Sequence, residues 1–169
     1  MTELLEADRT MSPLLQALTI LGLLGSALVA GIFFAFSSFV MPALARLPAD
    51  RGLLTMQSIN ITAVRPAFMS VLFGTAVLCV ALLIAGVRSM GTSSGVLLLI
   101  GSVVYLASAI VLTMVFHVPL NNELAATDPA AADSATFWAR YLSRWGAGNQ
   151  LRWIGPLASA AMFTLALRR

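Results

Sequence analysis

Three long apolar runs and one shorter run dominate the hydropathy pattern of this chain. Residues 14–40, 67–87 and 96–118 contain no Asp, Glu, Lys or Arg. Each reaches the length of about 20 apolar residues that crosses a bilayer as a helix. Prolines mark their edges. Pro13 and Pro66 suit a first helical turn, and Pro42 and Pro119 are expected to stop the first and third spans. Small residues recur at four-residue spacing inside the runs, as in Gly22 and Ser26 or Ala27 and Gly31. That spacing lets helix backbones approach closely in lipid.

The fourth run is too short as it stands. Its uninterrupted part, residues 153–167, gives about 15 residues or roughly 22 Å of helix, against a hydrocarbon core of about 30 Å. A fourth span therefore extends upstream, over about 149–167, and draws Arg152 and Asn149 to the membrane edge or below it. An arginine so placed needs a partner or a watery cavity; the alternative is a thinned bilayer with the side chain snorkelling outward. The pattern thus predicts an all-α fold, a four-helix transmembrane bundle formed by residues 1–169 as a single domain. Two longer loops, residues 41–65 and 119–150, share one face, and both termini and the short 88–95 connection share the other.

Composition supports lipid as the solvent. The chain is 59% hydrophobic and 10% charged, whereas soluble domains carry about 25% charged residues. The net charge of +3 comes from ten arginines and no lysine. The arginines are scattered singly at the ends of apolar runs, as membrane-edge anchors are, and nucleic-acid binding is excluded on that pattern. Arg9, Arg88, Arg168 and Arg169 fall on the tail face, and Arg46, Arg51, Arg65, Arg140, Arg144 and Arg152 on the loop face. If Arg65 and Arg152 belong to a pocket the two faces balance, and charge bias does not orient the protein. Glu3, Glu6 and Asp8 near the start argue against a cleavable signal peptide, which opens with basic residues. The lone Cys79 lies mid-run and reads as a buried, inert thiol. The expected location is the cell membrane, as a multi-pass protein.

Nearly all chemically versatile residues fall in or beside the two long connections, so topology alone gathers them at one mouth of the bundle. Trp138, Tyr141, Trp145, Asn149 and Arg152 follow spacings of 3, 4, 4 and 3 and form a narrow stripe on one helix face. An interfacial aromatic belt accounts for the Trp and Tyr, but not for Asn149 and Arg152 continuing the stripe inward. Gly146 and Gly148 weaken that helix by about 1 kcal/mol each, or else admit a close neighbour. His117, the only histidine, reads either as an interfacial side chain bonded to a carbonyl or as a general base. Asn60, Arg65 and Pro66 lead into the second span; Arg65, immediately before a proline, is expected to be extended and directed away from the helix. Gln57, Asn121 and Asn122 add amides at the same mouth. Arginine and amides can hold an oxyanion while tryptophans stack on a ring. A metal site is disfavoured, because only His117 and Glu123 are ligand candidates on that face. Nothing in the spacing of Met56 or Met114 supports haem or copper with His117.

Several stretches carry a resemblance. Gly31-Ile-Phe-Phe-Ala-Phe-Ser-Ser-Phe-Val-Met-Pro-Ala-Leu44, Met56-Gln-Ser-Ile-Asn60 followed by Arg65-Pro66, Val118-Pro-Leu-Asn-Asn-Glu-Leu124, and the Trp138 to Arg152 stripe resemble, in order, the motifs of the anthrone oxygenase family. The chain departs from that family at His117, where Asn is common, and at Gly148, where Trp is common. The resemblance implies cofactor-free oxidation of anthrone-like phenolic ketones to quinones by molecular oxygen. Under it, His117 is a candidate base and Arg65, Arg152, Asn60, Asn121 and Asn149 are candidate oxyanion holders. Gln57, Trp138, Tyr141 and Trp145 would contact the ligand, with no metal and no cofactor. The alternative is a non-catalytic membrane protein that binds a lipid or quinone-like molecule or serves as a partner subunit. The expected partners are the lipid bilayer and a flat aromatic or quinone-like small molecule, with homo-oligomer formation left open.

Overall fold

The computed structural model describes residues 11–169, and every regular element among them is helical. The acidic start that argues against a signal peptide lies outside the described residues. Helix α1 spans Pro13–Leu44. Ser12 caps it, its hydroxyl accepting the Leu15 N–H at 3.3 Å, with Pro13 in the first turn. Helix α2 spans Ala49–Ala63 and α3 spans Pro66–Arg88. Helix α4 spans Ser93–Ala126, capped by Thr92, whose hydroxyl accepts the Gly95 N–H at 3.0 Å. Helix α5 spans Ser134–Leu167.

Helices α1 and α4 each pack against both α3 and α5, which closes a four-helix ring; α2 lies across one end, against α5 and the last turns of α4. Small residues set the approach. At Gly86 an added Cβ would stand 2.7 Å from the backbone nitrogen of Leu99, so only glycine permits this α3–α4 contact. Inside the ring, Val29, Leu82, Leu98, Tyr105 and Phe163 form one core. Leu53, Met56, Leu124, Trp138, Tyr141 and Trp145 form a second core under α2.

The outside of the ring is apolar. Val77 is 70% exposed and Leu24 58% exposed, among many large side chains facing outward. In water such a surface would be a large aggregation-prone patch; lipid is the environment that matches it. Helices α1, α3 and α4 are long and apolar enough to cross a membrane, and α5 runs beside them as the fourth member of the bundle. The chain is a multi-pass membrane protein.

The connections hold more helix than hydropathy shows. Neither Pro42 nor Pro119 ends its helix. A helical proline lacks an N–H, and its ring presses on the carbonyl four residues back, here Ser38 and Val115. The chain absorbs this by widening to π-turns over Phe36–Val40 and Thr113–His117, and α1 and α4 then continue to Leu44 and Ala126. Likewise α5 begins at Ser134, well before the apolar run, and Gly146 and Gly148 do not interrupt it. Much of both expected loops is therefore rigid, and their polar residues occupy fixed helix faces.

Candidate functional site

The α5 stripe is buried throughout: Trp138, Tyr141, Trp145, Asn149 and Arg152 are all shielded. A belt at the lipid interface would leave these rings exposed, so the stripe has an internal role. Beside it lies a cavity of about 400 Å³. Ile32, Phe33 and Phe36 of α1 form one wall, and Met56, Ile59 and Ala63 of α2 form another. Phe68 of α3 and Trp145 of α5 complete the apolar lining. Asn60, Asn121 and Arg152 supply the inner polar groups. Ser58 and Thr62 stand on the α2 side, where the Thr62 hydroxyl donates to the Ser58 carbonyl of its own helix.

Arg152 is only 6% exposed. Its guanidinium carbon sits 3.9 Å from the centre of the Phe33 ring and 5.7 Å from that of Trp145. This is a desolvated cation–π arrangement. The single ion pair among the described residues is the exposed Arg51–Asp50 contact, so no carboxylate neutralises Arg152 there. Its Nε is buried without a hydrogen-bond partner. A buried cation that relies on aromatic faces retains its capacity for an anion or a strong oxygen acceptor.

Asn121 is oriented by two donors. The Tyr141 hydroxyl and the Trp145 indole N–H both reach its Oδ1, at 2.9 and 3.2 Å. Indole nitrogen only donates, so the amide oxygen must face the tryptophan and the NH2 group is left for the cavity. The Nδ2 of Asn60 is buried and unpartnered. The cavity thus presents hydrogen-bond donors from Arg152, Asn121 and Asn60, set among aromatic and aliphatic walls.

The remaining predicted residues lie elsewhere. Asn149 donates from Nδ2 to the Phe33 carbonyl and to the Ser37 hydroxyl, both at 2.8 Å, and so braces α5 to α1 at the π-turn. His117 is fully buried behind Trp145, its ring edge-on at 5.3 Å, with Nε2 3.4 Å from the Trp145 carbonyl oxygen and Nδ1 unpartnered. Gly148 makes room for it: an added Cβ would stand 2.9 Å from the His117 Cε1 and 2.5 Å from the Phe116 Cε1. Trp138 stacks on Tyr141 at 5.7 Å and presses on Gly52 of α2. Gln57 donates to the carbonyls of Leu124 and Thr127, at 2.8 and 3.0 Å, which ties α2 to the end of α4. Arg65 is extended, with φ −68° and ψ 156°, as a residue before proline should be. Its side chain is exposed and does not line the cavity. Among the described residues, no three His, Cys, Asp or Glu side chains come together as a metal cluster.

Sequence reasoning missed Phe33, Ser37 and Phe68. Ser26, Val29, Phe33 and Ser37 repeat at helical spacing on α1 and could have marked its inner face; Phe68 carried no such signal.

No curated protein and no solved structure matches the chain significantly. A family model described as anthrone oxygenase matches residues 65–162. That range contains Asn121, Trp145 and Arg152, while Phe33 and Asn60 lie before it. The match spans more than half of the sequence and covers α3, α4 and nearly all of α5, which carry Asn121 and Arg152, and on that ground the chain belongs to the anthrone oxygenase family.

Proposed function

We propose that the cavity binds a flat, largely apolar, oxygen-bearing aromatic molecule and supports its oxygenation by molecular oxygen in the cell membrane. The observation that carries this is the inner polar set: Asn60, Asn121 and Arg152 offer donors to one space walled by Phe33, Phe36, Phe68 and Trp145. Such a site favours a ketone, quinone or phenolate oxygen over a donor group. Its volume lies within the range of about 300–1,000 Å³ usual for small-molecule sites.

The family's reaction fits these residues. One anthrone and one O2 give one anthraquinone and one water. The methylene carbon loses both hydrogens, one oxygen atom becomes its carbonyl, and the other leaves as water. The step that needs the protein is loss of the first proton, which places negative charge on the ketone oxygen. Arg152, with the Asn60 and Asn121 amides, stabilises that oxyanion among apolar walls. The electron-rich anion then passes an electron to O2, and the two radicals combine at carbon to give a peroxide that eliminates water. His117 stands one ring behind the cavity wall, so we assign it to holding Trp145 rather than to taking the proton directly. Water at the α2 side is then the proton acceptor.

Oxygen uptake by purified protein in nanodiscs, with anthrone as substrate, tests this. Uptake above the uncatalysed rate, lowered about 10²–10³-fold by Arg152→Ala as for a lost oxyanion donor, is expected. Anthrone that binds without accelerated uptake would favour the non-catalytic binding protein, and absence of binding would overturn the assignment of the cavity.

A further inference from the structure

A second space adjoins the cavity, a groove of about 430 Å³ between α2 and the end of α4. Gln57, Asn60, Ile61 and Val64 line it from α2. Val118, Asn121, Asn122 and Ala125 line it from α4. Each set follows i, i+3, i+4, i+7 and so forms one helix face. Two such faces would ordinarily close on one another. Here they are pinned at one end, where Gln57 donates to the Leu124 and Thr127 carbonyls, and the second core packs Met56 and Leu53 beside Leu120 and Leu124. Val64 and Val118 line the groove away from the Gln57 pin. Around that end Ile61 is 70% exposed and Val64 and Val115 are each 68% exposed, with the exposed Arg65 next to Val64. Polar amides occupy the middle of the groove, and two of them, Asn60 and Asn121, also line the cavity.

We propose that this groove is a lateral passage from the bilayer and that the ligand has two parts: an oxygenated ring in the cavity and an aliphatic chain that leaves past Asn60 and Asn121 into lipid. The inference rests on the cavity being the ring site. The physics of the chain differs from that in water. Moving an aliphatic chain from lipid into an apolar groove gains little, because lipid is as apolar as the groove. The groove therefore permits a chain rather than rewarding one.

Binding of 1,4-naphthoquinone and of its 2-decyl derivative to protein in nanodiscs, read by quenching of tryptophan fluorescence, tests the idea. The wild type should bind the two within a few-fold of each other. Val118→Phe, and separately Val64→Phe, should narrow the passage and weaken the decyl compound about tenfold or more, as overpacking does, while leaving naphthoquinone unchanged. Rejection of the decyl compound by the wild type, or equal effects of the substitutions on both compounds, would overturn the passage and leave the ring site standing. If neither compound binds the wild type, the cavity assignment fails with it.

Discussion

Asn121 concentrates several interactions in one amide. Its oxygen takes the Tyr141 and Trp145 donors, and its nitrogen faces the cavity. Asn121→Leu leaves two part-buried donors unpaired, at about 1–3 kcal/mol each. The expected result is a lower thermal midpoint in detergent together with weaker ligand binding, whereas Asn121→Asp keeps the acceptor and should retain most of the stability. His117 gives a different signature. As a prop behind Trp145 it should lose activity modestly on conversion to alanine, with no recovery at high pH. As a direct general base it should lose about 10²–10⁴-fold and recover as pH rises. Rate–pH profiles of wild type and His117→Ala distinguish the two. Gly148→Ala drives a methyl against His117 and Phe116; overpacking of this kind costs about 1–3 kcal/mol, measurable by thermal unfolding. The α5 stripe was legible because its spacing lies within one segment and helical periodicity maps it onto one face. The opposite wall was not, because Phe33, Phe36 and Phe68 are chemically silent in an apolar run and acquire meaning only from what faces them.

At the scale of elements, the prolines matter more than their usual role as stop signals suggests. Pro42 and Pro119 each follow a widened turn, and these turns hold Ser37, which braces Asn149, and His117, which backs Trp145. A π-turn inserts one residue into the helical count and rotates everything beyond it by about 100° relative to an unbroken helix. Helix α4 carries two such segments, Leu106–Val111 and Thr113–His117, so hydropathy places the third span while periodicity carried from its start misplaces the facing of His117 and Asn121. Pro119→Ala restores the missing N–H and allows the turn to contract. The expected outcome is a bundle at least as stable to heat, with ligand affinity reduced because Asn121 is turned from the cavity; unfolding and binding measured on the same preparation check it. Helix α5, at 34 residues or about 51 Å, exceeds the hydrocarbon thickness of about 30 Å. Its apolar half accompanies the spans, and its aromatic half rises into the second core.

For the whole molecule, the ring of four helices puts the 88–95 connection and the C-terminus at one end, and α2 with the α4–α5 connection at the other. Single cysteines introduced as Thr92→Cys, Ala130→Cys and Arg169→Cys should label with a membrane-impermeant maleimide so that positions 92 and 169 agree and 130 differs. Cys79 is fully buried and should contribute little background. Labelling of 92 and 130 from one side would break the topology. The bundle was largely legible in the sequence because length and the absence of charge determine what lipid accepts. The mouth was legible only as a gathering of residues. Which of them share a cavity depends on the lie of α2, and nothing in its short, mixed pattern announced that it crosses the end of the bundle.

The uncompensated charge on Arg152 has a thermodynamic corollary. Arg152 is a cation held against aromatic faces with no carboxylate beside it among the described residues, so the cavity prefers the ionised form of any weakly acidic ligand. Ionisation and binding are then linked equilibria: a phenol or anthrone that arrives neutral releases a proton to the bulk as it settles. Apparent affinity should climb with pH until the ligand's own ionisation is passed and then level off. Each tenfold preference for the anion lowers the ligand's bound pKa by one unit, about 1.4 kcal/mol. Calorimetry in buffers of differing ionisation heat would count the released protons, and Arg152→Met should lower that count, with the Asn60 and Asn121 amides retaining the remainder.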